Sequence, residues 1–179
     1  MNVKWLSGLF GGKAMAALSA GTKAPEFELA AMDGSKFSLQ DALNQGPVLA
    51  VFFKISCPVC QYALPFYERI YKAYDSGDVS FVGISQNEKR DTAEFVKRYG
   101  ITFPILLDDT KTFPVSNAYG LTTVPTSFWI AQDGEIEISS VGWVRQEFEE
   151  IVRKAASANG GTPKPVFQTT EQIADFRAG

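Results

Sequence analysis

Histidine is absent from the 179 residues of this chain. That absence excludes Ser-His and Cys-His catalytic pairs and any histidine-ligated metal or haem. A general acid or base must then be a carboxylate, a lysine, a tyrosine, water or a thiol. Cysteine is scarce too, with two residues, Cys57 and Cys60. A structural zinc takes four Cys or His ligands, so this pair is half a site at most and needs a second chain to complete it. No apolar run is long enough to span a bilayer. No basic block suggests nucleic acid, because the 17 Lys and Arg and 20 Asp and Glu are mixed along the chain. A chain of this length buries a substantial core without disulfide staples.

What is present reads as one domain with added ends: a leader over 1–20, a domain over 21–158 and a tail over 159–179. The leader has Lys4 ahead of small and apolar residues. However, Lys13 and Gly11-Gly12 interrupt the apolar core that a secretion signal needs. It is read as a short leader whose Trp5, Leu6, Leu9 and Phe10 rest on the domain. On that reading the cytoplasm is favoured, with the periplasm or a membrane surface as alternatives.

"APEFELAAMDGSKFSLQDAL" predicts a hairpin turning at Asp33-Gly34, then a short helix. "GPVLAVFFKIS" is a near-continuous apolar run, the mark of a strand covered on both faces. From Pro58 onward Ala63, Phe66, Ile70 and Ala73 recur at helical spacing. "VSFVGISQN" predicts a second buried strand. A helix over "KRDTAEFVKRYG" follows, with Ala93, Phe95, Val96 and Tyr99 inward and Gly100 as its stop. "FPILLDD" predicts a strand and "KTFPVSNAYGL" a turn and short helix. Asp133-Gly134 closes a second hairpin. The final helix, "VRQEFEEIVRKAAS", turns Phe148, Ile151 and Val152 inward. The tail is rich in Gly and Pro and is read as crossing the surface with one helical turn after Thr169. Strand-helix-strand units imply parallel pairing, and the closing hairpin adds antiparallel strands. The expected fold is α/β, a mixed central sheet flanked by helices on both faces and preceded by a β-hairpin.

Both cysteines lie where strand gives way to helix, in "VFFKISCPVCQYALPFY". As inert core thiols they would sit poorly at a helix mouth. As a redox pair the placement has a physical reason. Cys57 precedes the first helical turn, where free N–H groups and the helix dipole favour a thiolate. Pro58 suits the first helical position, having no N–H to lose. Cys60 lies one turn on, within reach of a mixed disulfide formed by Cys57.

Several ordered motifs add to this. They are "GTKAPEFEL" with "DGSKFSL", "VLAVFFKISCPVC", Pro65 within the helix, "TTVPT", and "DGEI…VGW". Over about residues 20 to 156 the chain resembles thioredoxin-fold redoxins of the AhpC/TSA and TlpA-like group, the bacterial thiol–disulfide oxidoreductases. The resemblance implies a thioredoxin-like fold with Cys57 as nucleophile and Cys60 as resolving thiol. It implies a cis peptide at Pro125, with the Val124 backbone pairing to a bound substrate segment. Ser56, Pro58, Val59 and Lys54 would form the surroundings of the pair. No cofactor is implied beyond the redox-active Cys57–Cys60 disulfide. The implied partners are protein thiols or disulfides and an unidentified reductase or oxidase, with the chain a monomer.

Departures from the group raise a question of proton transfer. Val51 stands where thioredoxins carry a buried Asp, and Ala63 where TlpA-like members often carry Glu. Ser56 stands where a tryptophan is common. Glu26 and Glu28 are the remaining candidates for a base. Lys54 either stabilises the thiolate or, the reading favoured here, reaches solvent along its apolar stem. Two other functions stay open. A peroxiredoxin-like peroxidase would need Thr or Ser at position 54 and a proline before it. A non-catalytic binding module would not require two thiols at this spacing.

Overall fold

The computed structural model describes residues 16–74 and 77–179. The leader's expected packing through Trp5, Leu6, Leu9 and Phe10 lies outside these residues. The chain opens on a hairpin, β1 (Glu28–Ala30) and β2 (Lys36–Ser38), closed by the Asp33 turn. Asp33 holds that turn by accepting from the Ser35 N–H at 2.8 Å. Helix α1 (Leu39–Leu43) follows, capped by the Ser38 hydroxyl, which accepts the Asp41 N–H.

The central sheet has the order β5-β4-β3-β6-β7. Strand β3 (Val48–Phe53) is buried at every residue, as its unbroken apolar run requires. It pairs parallel with β4 (Ser80–Ser85) and antiparallel with β6 (Thr126–Ile130). The crossover from β3 to β4 is α2 (Pro58–Tyr74), and Pro65 lies within it. From β4 the chain runs through α3 (Lys89–Tyr99) to β5 (Ile105–Leu107), parallel to β4. Gly100 ends α3 in the left-handed region, at φ 65°. Helix α4 (Pro114–Ala118) leads to β6, and the hairpin at Gly134 returns the chain as β7 (Ile136–Val141). The short β8 (Trp143–Val144) leads into α5 (Arg145–Ala158). This is the expected α/β fold: a mixed sheet, helices on both faces and an N-terminal hairpin.

Two cores sit on opposite faces of the sheet. Leu49, Val51 and Phe53 point with Trp129 towards α2, α3 and α5. Ala50 and Phe52 point with Phe128 towards α1, α4 and Tyr119. This is the alternation of a strand covered on both faces. One detail of α3 differs from its sequence pattern. Thr92, not Ala93, is the buried partner of Phe95. Its hydroxyl lies 2.7 Å from that of Ser85, so the polar atom is satisfied inside the core.

The segment after α5 does more than cross a surface. It turns at Thr169, then forms β9 (Phe176–Arg177), antiparallel to β8. Phe167 packs its ring 5.4 Å from Phe148 and 5.6 Å from Phe66. Arg69 of α2 grips Glu171 through two hydrogen bonds, 2.6 and 2.7 Å, the fork geometry suited to a carboxylate. That grip and the Gln168 N–H hold the Glu171 carboxyl at about 2, below its ordinary 4.5.

Candidate functional site

The pair of thiols is assembled by the β3-to-α2 junction. Strand β3 delivers the chain to Lys54, whose carbonyl accepts the Cys57 N–H at 3.2 Å. Cys57 then takes the N-cap position of α2. Its carbonyl accepts the first intrahelical bond, from the Gln61 N–H at 3.0 Å. Its sulfur accepts the Cys60 N–H at 3.3 Å, one of the first-turn donors that have no acceptor within the helix. The approach loop is pinned at Ile55. Its N–H donates to Asn87 Oδ1 at 3.0 Å, and its carbonyl accepts from Gln61 Nε2 at 2.9 Å.

Both thiols are free. Cys57 is half-buried, whereas Cys60 is fully sealed, at 0% exposure. Burial pushes the Cys60 thiol well above the ordinary thiol range, and the neighbouring Cys57 adds to this. The Cys57 thiol donates to the Val124 carbonyl at 3.1 Å. The Val124–Pro125 bond is cis. The loop before β6 therefore lies directly on the Cys57 sulfur, although Cys57 and Val124 are 67 residues apart.

The remaining predicted residues divide. Lys54, Cys57 and Val124 line one cleft of about 380 Å³ with Gln86, Phe113 and Gly179. Lys54 is half-buried. Its Nζ lies 5.4 Å from the centre of the Phe113 ring, a cation–π contact. Phe113 holds a left-handed backbone, φ 47°, at the start of α4, a costly conformation for an aromatic residue. Ser56 and Pro58 are exposed at the rim, Val59 packs against the core and Pro125 is buried beneath. Glu26 and Glu28 stand elsewhere: both are exposed, and Glu28 pairs with Lys36 across the hairpin.

The sequence pattern gives no sign of what replaces the acid at Val51. Val51 lies in register opposite Ser127 of β6, so the two side chains share a face. The Ser127 hydroxyl accepts from the Tyr67 hydroxyl at 2.8 Å. Tyr67 follows Cys60 by two turns on the same face of α2, and both are buried. Burial pushes the Tyr67 phenol up to about 12; the Ser127 bond opposes this, and the Glu147 and Cys60 charges add to it. Oε2 of Glu147, on α5, is buried with no hydrogen-bond partner among the described residues. A buried pair of hydroxyls thus lies beside Val51, on the sheet face that packs against α2. Among the described residues there is no group of three or more His, Cys, Asp or Glu placed to hold a metal ion.

Comparison with known proteins bears on this site. The AhpC/TSA family model matches residues 20–139. The chain belongs to the AhpC/TSA family. It is 33% identical over 142 residues to the thiol-disulfide oxidoreductase ResA of Halalkalibacterium halodurans, spanning 76% of this chain and 79% of the relative. A thiol:disulfide interchange protein of the thioredoxin family from Chlorobium tepidum is 29% identical in its solved structure. Its TM-score is 0.64, over 78% of this chain and 99% of that one. StoA from Bacillus subtilis is 26% identical with a TM-score of 0.60, over 72% and 94%. Within the AhpC/TSA family this redoxin falls in the TlpA-like group, and it is a thioredoxin-like oxidoreductase. Among its described residues no helix is long and apolar enough to cross a membrane.

Proposed function

We propose that this AhpC/TSA redoxin exchanges disulfides with protein substrates, using Cys57 as nucleophile and Cys60 as resolving thiol. The observation that carries the reading is the asymmetry of the pair. One sulfur faces a cleft and is held by the Val124 carbonyl. The other is sealed one helical turn behind it.

The Cys57 thiolate attacks a substrate disulfide S–S′. A Cys57–S bond forms, S′ leaves as a thiolate and takes a proton from water. The Cys60 N–H, already aimed at the Cys57 sulfur, faces the reacting atom throughout. Burial is the main cause that holds the Cys60 thiol up, and forming the mixed disulfide removes the two smaller ones, the Cys57 hydrogen bond and charge. Cys60 therefore ionises more easily once it is needed. It attacks the Cys57 sulfur, the Cys57–Cys60 disulfide forms, and the second substrate sulfur leaves with the Cys60 proton. Two electrons have passed to the substrate, and an external dithiol reductant restores the pair. The reverse sequence oxidises a dithiol.

Replacing Cys60 with Ser is expected to leave Cys57 linked to the substrate, seen as a reducible adduct by intact mass. Replacement of Cys57 should abolish the adduct. Trapping through Cys60 in a Cys57→Ser chain would overturn the assignment of roles. Rapid turnover of hydrogen peroxide without exchange of insulin disulfides would overturn the function in favour of a peroxidase.

A further inference from the structure

The segment after α5 reaches the cleft that opens on Cys57. The Lys164 N–H donates to the Tyr74 hydroxyl at 2.8 Å, and the Val166 carbonyl accepts from Arg69 at 2.9 Å. Glu171 locks onto Arg69. The Ala174 carbonyl accepts from the Trp143 indole at 2.7 Å, and its N–H donates to the Tyr62 hydroxyl at 3.1 Å. The Arg145 N–H donates to the Asp175 carbonyl at 2.9 Å. Arg177 stacks its guanidinium 4.0 Å from the centre of the Tyr62 ring.

Beyond β9 the chain passes Gly142 and reaches the cis-proline loop. A Cβ on Gly142 would lie 2.5 Å from the Arg177 carbonyl oxygen. A Cβ on Gly179 would lie 2.5 Å from the Val124 carbonyl oxygen and 2.8 Å from Thr123 Oγ1. Gly179 is also one wall of the cleft that opens on Cys57. The segment thus presses its backbone onto the carbonyl that holds the nucleophile.

We propose that residues 171–179 form a strap that sets substrate specificity at Cys57. The inference rests on the disulfide-exchange reading above. A polypeptide that lays its backbone beside Val124 must displace the strap. A small disulfide needs only the sulfur and the open side of the cleft. The strap therefore disfavours protein disulfides relative to small ones, and its anchor, Arg69–Glu171, sets by how much.

The test compares two substrates under one dithiol reductant: insulin, and a small aromatic disulfide. Initial rates are measured for the full chain, for Glu171→Lys and for a chain lacking residues 172–179. If the strap is open about a tenth of the time, its removal raises the insulin-to-small-disulfide rate ratio about tenfold. Glu171→Lys, which sets two cations against each other, should raise the ratio in the same direction. An unchanged ratio in both variants overturns the strap, as does a parallel fall of both rates with a lowered melting temperature. If the deleted chain fails to fold, Glu171→Lys alone decides. Silence of the full chain towards both disulfides instead sinks the exchange reading itself, a result separable from an unchanged ratio.

Discussion

Replacing Tyr67 with Phe removes one oxygen from a place sealed from solvent. The Tyr67 hydroxyl donates to Ser127 at 2.8 Å, and the two residues are 3% and 1% exposed. Water cannot reach either atom to replace the lost bond. Leaving the Ser127 hydroxyl unpaired costs its desolvation, about 2 kcal/mol. In a chain of this length that lowers the melting temperature by about 4–8 °C. Ser127→Ala leaves the phenol unpaired and should cost a similar amount. The double variant leaves no polar atom behind and should lie near either single variant rather than at their sum, a coupling of about 2 kcal/mol. Burial holds the Tyr67 phenol up to about 12, so it stays a donor. The coupling should therefore be the same at about pH 6 and about pH 9. The assay is a double-mutant cycle in urea with both thiols reduced. Additivity within about 0.5 kcal/mol would refute the claim that these hydroxyls depend on one another.

Other perturbations test other parts of the fold. Glu171 has a lowered carboxyl pKa in the folded chain, so its contribution to strap anchoring is present above 4.5 and is lost as pH falls towards about 2. The amide shift of Ala174 by NMR should report that loss within this window and stay constant above it. Gly142→Ala places a side chain at φ 77° and 2.5 Å from the Arg177 carbonyl oxygen. It should unpair β9 from β8 while the five-stranded sheet survives, as hydrogen exchange at Arg177 and Val51 would show. Glu68→Ala removes the acceptor for the Thr102 and Phe103 N–H groups, 2.7 and 3.3 Å away. Its expected cost, read from urea unfolding, is about 3 kcal/mol.

The parts of this fold that were legible in the sequence are those whose pattern is complete within one segment. The apolar run of β3 declares two covered faces, and the 3.6-residue spacing after Pro58 declares α2. Gly100 and Gly134 mark a helix stop and a hairpin because each needs a positive φ that glycine adopts freely. The thiol pair was legible for the same reason, since strand, N-cap and helix are contiguous. Lys54 was not, because its cation rests on a ring 59 positions away whose direction depends on the left-handed backbone of Phe113.

Register and long-range cover carry no local mark. Val51 alone reads as the loss of a buried polar group. Only the pairing of β3 with β6 brings Ser127 opposite it, and a slip of one residue would have turned that hydroxyl to the other face. The strap is the stronger case. Tyr62, Phe66 and Arg69 lie at helical spacing along one side of α2. In the structure the same three residues receive Ala174, Phe167 and Glu171, about a hundred positions later. A periodic pattern states that a face is covered and is silent on what covers it. Cover that arrives from a Gly- and Pro-rich segment has no period of its own, so neither end of the contact announces the other. What the pairing does leave is chemistry. Arg69 lies on a helix face rich in aromatic residues and finds its partner in a carboxylate embedded in an otherwise loop-like segment. A half-buried guanidinium needs such a partner, and here that need ties α2 to the segment that carries Glu171.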